Sequence, residues 1–245
     1  MITSVKNEKV KEWTKLKQKK GRDQLGLFLV EGFHLIEEAH KSDCNIVEII
    51  HTPKATIDYL AQYKCVEVTE NVLQKITDTK SPQGVVAVVE KKLKQGSPNN
   101  RVLLLDNVQD PGNVGTMIRT ADAAGFDTVV LGKGSVDVFN DKVIRATQGS
   151  IFHLSIYQAD LLEEIAKLKE NGVTVWATGL ENATNMYEMP ITEKMAIIVG
   201  NEGAGVHPSL MKEADEIVTI PIYGQAESLN VSIAAAVLMY HVVKL

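Results

Sequence analysis

Short runs built almost wholly of Val, Ile and Leu alternate along this chain with stretches of helical spacing. In the first part they are Leu27–Val30, Ile46–Ile50, Val66–Val68 and Gly84–Val89. In the second they are Val102–Leu105, Thr128–Leu131, His153–Ile156, Val173–Ala177, Met195–Val199 and Glu216–Ile220. A strand that is apolar along its whole length has no face to give to water, so both faces must be covered. Helices do this when each links one strand to a parallel neighbour. Helical spacing fits Phe33–Ala39, Ala55–Tyr63, Val72–Ile76, Met117–Ala124, Val143–Ala146, Ala159–Glu170 and Ser228–Val243. Both parts therefore predict α/β structure, with a parallel sheet in the second.

The pattern breaks once, at Lys91–Asn100, where Gly, Pro, Ser, Asn and charge replace apolar period. A linker is expected at 93–100, dividing a unit of residues 1–92 from one of 101–245. A length of 245 residues suits two modest domains. No run is long and apolar enough for a membrane span, and the first residues lack a signal peptide's apolar core. Cys44 and Cys65 stand apart with no clustered His, so neither a disulfide nor a metal site is expected. A cytoplasmic location is the simplest expectation. Charge is uneven. Residues 1–22 hold eight Lys and Arg against two Glu, a net +6, so the rest carries −11 of the total −5. Trp13 and Leu16 fall at helical spacing within this segment, which predicts a basic helix over 4–20. Such a helix suits phosphate contact, though a plain solvated face has the same composition.

Three polar clusters each follow an apolar strand or its turn and lead toward a helix. Asn113–Arg119 reads NVGTMIR, Gly200–Gly205 reads GNEGAG, and Ile220–Asn230 reads IPIYGQAESLN. Loops at the carboxyl ends of parallel strands converge on one crevice, so the three suggest a composite site. The glycine loop is GxxGxG, not the dinucleotide GxGxxG, and no Walker lysine is present. Glu202 within it would repel phosphates; the same glycines would also serve a tight turn. Asn113 is a candidate cap for the helix carrying Arg119, and Ser228 for the last helix. Ser232–Val237 is rich in small residues, which lets that helix approach another backbone closely.

In their order and spacing the clusters resemble the three motifs of the SpoU/TrmH family of RNA 2′-O-methyltransferases, in the SPOUT superfamily. The first part is similar to the family's L30e-like substrate-binding domain through Gly26–Gly32 and Ser81–Ala87. The resemblance implies S-adenosylmethionine as cofactor and a deep trefoil knot in a SPOUT domain of parallel strands. The cofactor contacts it implies are Thr178, Gly179, Gly200, Asn201, Glu202, Gly203, Ile220, Ile222, Leu229 and Asn230. Arg119, Asn113, Glu202, Ser228 and Asn230 are the implied catalytic set, with Arg119 acting beside the cofactor of a second copy. Lys15, Lys19, Arg22, Arg119 and Arg145 are the expected RNA contacts. The implied reaction is methylation of a ribose 2′-hydroxyl, of ribosomal RNA sooner than transfer RNA, by a homodimer formed through the second domain. Neither a metal nor a membrane takes part. Two alternatives remain at this point: a catalytically silent RNA-binding protein, and another nucleotide-binding α/β enzyme.

Overall fold

The computed structural model describes residues 1–55, 60–92 and 100–243. The chain divides into two compact units, one of Met1–Lys92 with Asp137–Phe152 and one of Leu93–Val136 with His153–Leu245. Seven of the eight residues of the expected linker, and four of the nine of the helix expected at Ala55–Tyr63, lie outside the described residues; within that expected helix Leu60–Gln62 form a 3-10 turn. The expected division at 93–100 did not anticipate the excursion of residues 137–152 into the first unit.

The first unit contains α1 (Glu8–Lys15), α2 (Lys19–Leu25), β1 (Leu27–Glu31), α3 (Phe33–Lys41), β2 (Ile46–His51), β3 (Cys65–Glu67), α4 (Glu70–Ile76) and β4 (Val85–Glu90). Its sheet runs β1-β4-β2-β3, with β4 antiparallel to both neighbours and β2 parallel to β3. The basic segment is part of this unit's core. Val10, Trp13 and Leu16 pack with Ile50, Val72, Ile76 and Val86.

The single helix expected over 4–20 is instead two helices, and the break has a specific cause. Arg22 turns back and donates from Nη1 to the carbonyls of Leu16 and Lys17 at 3.0 and 2.9 Å, satisfying groups freed at the end of α1. Gly21 permits the tight return, since a Cβ there would sit 2.1 Å from the Lys15 carbonyl oxygen.

The excursion brings α6 to this unit; in chain order it follows α5 (Pro111–Ala123), and it spans Asp141–Thr147. Asp137 accepts from Arg22 Nη2 at 2.7 Å, and Phe139 packs on Phe28 with ring centroids 4.8 Å apart.

The second unit holds β5 (Arg101–Leu105), β6 (Thr128–Leu131), β7 (Ser155–Gln158), α7 (Leu161–Glu170), β8 (Thr174–Thr178), β9 (Thr184–Asn185), β10 (Met195–Val199), α8 (Pro208–Glu213), β11 (Glu216–Thr219) and α9 (Val231–Val242), together with α5. Its seven strands are all parallel, in the order β7-β6-β5-β10-β8-β11-β9. Alternate residues divide between two faces, as strand geometry requires. Val102, Leu104, Val175, Ala177, Ala196 and Ile198 pack with Ile165 and Leu168 of α7 and Leu210 of α8. Leu103, Val129, Trp176 and Ile197, aligned by the register, form the opposite face and are equally buried. The continuous apolar strands are thus explained, since neither face meets water. The chain reverses its direction of travel across the sheet between β5 and β10, where open α/β sheets bind ligands.

One buried carboxylate lends itself to a test. Glu48 accepts from Trp13 Nε1 at 2.7 Å and from Lys9 and Lys64 at 2.9 and 3.2 Å. Burial pushes its acid strength down, but the bonds from Lys9, Trp13 and Lys64 outweigh this and leave its pKa below the usual range. A depressed carboxylate stabilises the fold above its unfolded pKa and loses that contribution as pH falls through the folded value. Glu48→Gln is expected to cost about 1–3 kcal/mol at neutral pH, with the difference from wild type shrinking below about pH 4, as read by denaturant unfolding across pH.

Candidate functional site

Each polar cluster sits at the end of a strand or the start of a helix in the second unit. The turn after β5 leads into α5, whose N-cap is Asp110: its Oδ1 accepts from the Asn113 amide at 2.8 Å. Asn113 therefore does not cap, contrary to expectation. It is the third residue of the first turn, and its side chain reaches across to Glu202 and Asn230. The last helix, α9, is capped by Asn230, which accepts from Ser232 N at 2.9 Å. Ser228, expected as that cap, lies ahead of it and lines a cavity. Asn230 wins the position because its carbonyl oxygen serves the Ser232 amide and hydroxyl together, the latter at 2.6 Å.

The loop after β10 is pinned by its own side chains. Asn201 Oδ1 accepts from the amides of Gly203 and Ala204 at 3.0 and 3.1 Å, while Asn201 and Gly205 exchange two backbone bonds. Gly205 has φ +70°, which glycine adopts without strain. Gly200 serves closeness instead, because a Cβ there would fall 2.1 Å from the Gly205 backbone.

One hydrogen-bonded chain joins all three clusters. Glu202 accepts from the Asn113 side-chain amide at 3.1 Å and from the backbone amides of Asp110 and Gln109 at 3.1 and 3.4 Å. Asn113 Oδ1 in turn accepts from Asn230 Nδ2 at 3.1 Å. Partial burial raises the Glu202 pKa, but the Asn113 bond and the backbone amides outweigh it, so the net shift is downward and the carboxylate is held ionised.

Beside this chain lies a cavity of about 520 Å³ at the carboxyl ends of β8, β10 and β11. Of the residues expected to hold a cofactor, Thr178, Gly179, Gly200, Asn201, Glu202, Gly203, Ile220, Ile222 and Leu229 line it; Asn230 does not. The sequence reading missed Glu181, Met211, Ala234 and Leu238. Met211 and Leu238 come from α8 and α9 and carry no polar signature, so only the packing of these helices reveals them. Gly179 keeps its wall open: a Cβ there would meet Ile217 at 2.7 Å and Met211 at 3.2 Å.

Asn113 and Arg119 stand outside the cavity lining. Arg119 is exposed on α5, with no hydrogen-bond or ion-pair partner among the described residues. In the first unit, Lys15 and Lys19 are exposed. Arg145 pairs with Asp141 at 2.6 Å. Arg22, expected to contact RNA, is only 4% exposed, and its guanidinium is fully engaged by two carbonyls and Asp137. That expectation is corrected, since a buried cation already paired cannot reach a phosphate. No described helix is long and apolar enough to cross a membrane, and no described His, Cys, Asp and Glu side chains gather in a group able to hold a metal.

The cavity's chemistry is selective. Among the described residues, its only charged lining residues are Glu181 and Glu202, with no Lys or Arg. A polyphosphate would find two carboxylates and no counter-charge, whereas an adenosine bearing a cationic sulfur meets apolar walls and a negative potential. This lining suits S-adenosylmethionine. The fold and site define an α/β protein with its cavity at the carboxyl edge of a parallel sheet.

Comparison with known proteins agrees. Residues 100–240 match the SpoU rRNA Methylase family, and residues 7–87 match the MRM3-like substrate binding domain. The chain belongs to the SpoU rRNA methylase family. It is 47% identical over 242 residues to the 23S rRNA (guanosine(2553)-2′-O)-methyltransferase RlmP of Bacillus subtilis (strain 168), covering 98% of each chain. Among solved structures it is similar to an AdoMet-bound rRNA methyltransferase from Sinorhizobium meliloti, with a TM-score of 0.90 and 32% identity over 98% of this chain and 96% of that one. An RNA 2′-O ribose methyltransferase gives a TM-score of 0.83 at 31% identity, covering 98% and 97%.

Two of the three loop glycines separate by geometry. Gly200→Ala is expected to cost on the order of 2 kcal/mol, because backbone must move to admit the methyl. Gly203→Ala, where the new Cβ has nothing nearer than Asn201 Oδ1 at 3.7 Å, is expected to be silent. Thermal unfolding of the two variants side by side reads the difference.

Proposed function

We propose that this protein transfers the methyl group of S-adenosylmethionine to a ribose 2′-hydroxyl of 23S ribosomal RNA, at the guanosine equivalent to the one named for its Bacillus subtilis relative. The observation that carries the reading is the chain from Glu202 through Asn113 to Asn230, which ties the three motif loops together beside an anionic, glycine-walled cavity.

When bound, S-adenosylmethionine supplies a methyl already activated by its sulfonium. The protein's work is placement. Gly200–Gly203, Thr178–Gly179, Ile220, Ile222 and Leu229 hold the donor, with Asn230 acting through Asn113 and the cap of α9. Holding two reactants in line contributes several kcal/mol of barrier lowering. Arg119 carries the acceptor side. A guanidinium has a pKa above about 12 and is a poor proton acceptor. Its role is to stabilise charge growing on the 2′-oxygen and to grip a neighbouring phosphate, with the proton passing to that phosphate or to water. Asn113, Glu202 and Ser228 keep the loops and ribose in register.

Arg119 is exposed, unpartnered and outside its own chain's cavity, which supports a second copy in which each Arg119 serves the partner's cofactor. Ile233 and Tyr240 are half exposed on α9, the helix that packs on α5, and supply apolar surface for such a homodimer. The sheet order and the fold likeness support a deep trefoil knot through the cofactor loops. The mixed four-stranded sheet and the domain match support an L30e-like first domain that binds RNA, with Lys15, Lys19 and Arg145 on its RNA side. The location that goes with this substrate is the cytoplasm.

Mapping 2′-O-methyl groups in total RNA with and without the protein tests the substrate; loss of none in 23S RNA would refute it. Arg119→Lys keeps charge but loses the planar fork. It is expected to slow single-turnover methyl transfer about 10- to 100-fold, the range for losing one charge-assisted bond, with donor affinity unchanged by calorimetry.

A further inference from the structure

The cavity's two carboxylates are not equivalent. Glu202 is occupied by Asn113 and two backbone amides, which fix its direction and offset its charge. Glu181 has no hydrogen-bond or ion-pair partner among the described residues and is exposed at the rim. Its position is built by the chain: β8 ends at Thr178, and the turn through Glu181 is closed by Asn182 in the left-handed region at φ 52° before β9 begins. Asn tolerates that conformation better than most residues. An unpaired carboxylate is therefore held at the mouth of a cavity that contains no basic side chain.

Transfer changes the charge of the bound molecule at one atom. The carbon–sulfur bond breaks, its electron pair stays on sulfur, and the cationic sulfonium becomes a neutral thioether. The oxygen–carbon bond forms, and the proton leaves the 2′-oxygen for a neighbouring phosphate or water. A fixed negative charge near the cavity thus attracts the donor more strongly than the product, while the rest of the two molecules is the same.

We infer that Glu181 is the specificity residue that favours S-adenosylmethionine over S-adenosylhomocysteine, an inference that rests on the cavity being the methyl-donor site. Its role is positioning and selection; it takes no proton. Because a carboxylate that stabilises the sulfonium does so before transfer, its loss raises the KM for donor and leaves kcat the same or slightly higher.

Calorimetry with S-adenosylmethionine and S-adenosylhomocysteine tests this on the full chain. Glu181→Gln is expected to weaken the donor by up to about fivefold, the scale of a partly solvated charge pair, and to leave the product nearly unchanged. The gap should narrow in high salt for wild type and not for the variant. Glu181→Asp should keep the preference. Equal weakening of both ligands would move Glu181 to the amino-acid end they share and overturn the inference, as would no change in either. If wild type binds neither molecule, the reading of the cavity itself fails, an outcome distinct from both.

Discussion

The side chain of Asn113 holds the site together. Its amide nitrogen donates to Glu202 and its oxygen accepts from Asn230, so a single residue uses both ends of its dipole to join two loops that lie far apart in sequence. The three loops come from separate strand ends, and among the described residues no backbone–backbone bond joins them. Asn113 can do this only because Asp110 has taken over the capping of α5. A capping Asn would turn its oxygen onto its own helix and leave Asn230 without an acceptor. Aspartate would lose the donor to Glu202 and place two carboxylates together, which is a reason for an amide at this point.

Much of the molecule was legible from composition alone. Strands apolar on both faces required a covered parallel sheet, and all seven strands of the second unit run parallel. The GxxGxG spacing and Glu202 turned the glycine loop away from phosphates, and a cavity without basic residues agrees. The helix caps were less legible. Asp110 and Asn113 are both competent caps, as are Ser228 and Asn230, and the choice depends on which amide each side chain can reach in three dimensions. Met211 and Leu238 were invisible as site residues because an apolar side chain reads as core until its neighbours are known.

The basic N-terminal segment shows how charge can mislead. Eight cations in the first 22 residues suggest a basic helix turned to phosphate or solvent, yet Val10, Trp13 and Leu16 are built into the core of the first unit. Trp13 and Leu16 at helical spacing were the countersign. Arg22 differs from its neighbours in being consumed by carbonyls at the turn between α1 and α2 and by Asp137. Among cations of one segment, only geometry separates those that face solvent from one that closes a turn.

Residues 137–152 sit with the first unit although the chain before and after them belongs to the second. Arg22 meets its carboxylate, and Phe28 its aromatic neighbour, only when that later stretch has been made. The first unit is therefore not contiguous in the chain, and residues 1–92 alone would lack these partners of Arg22 and Phe28. A ribosome that has finished residue 92 has also not finished the domain; it must synthesise β5, α5 and β6 before the missing piece emerges.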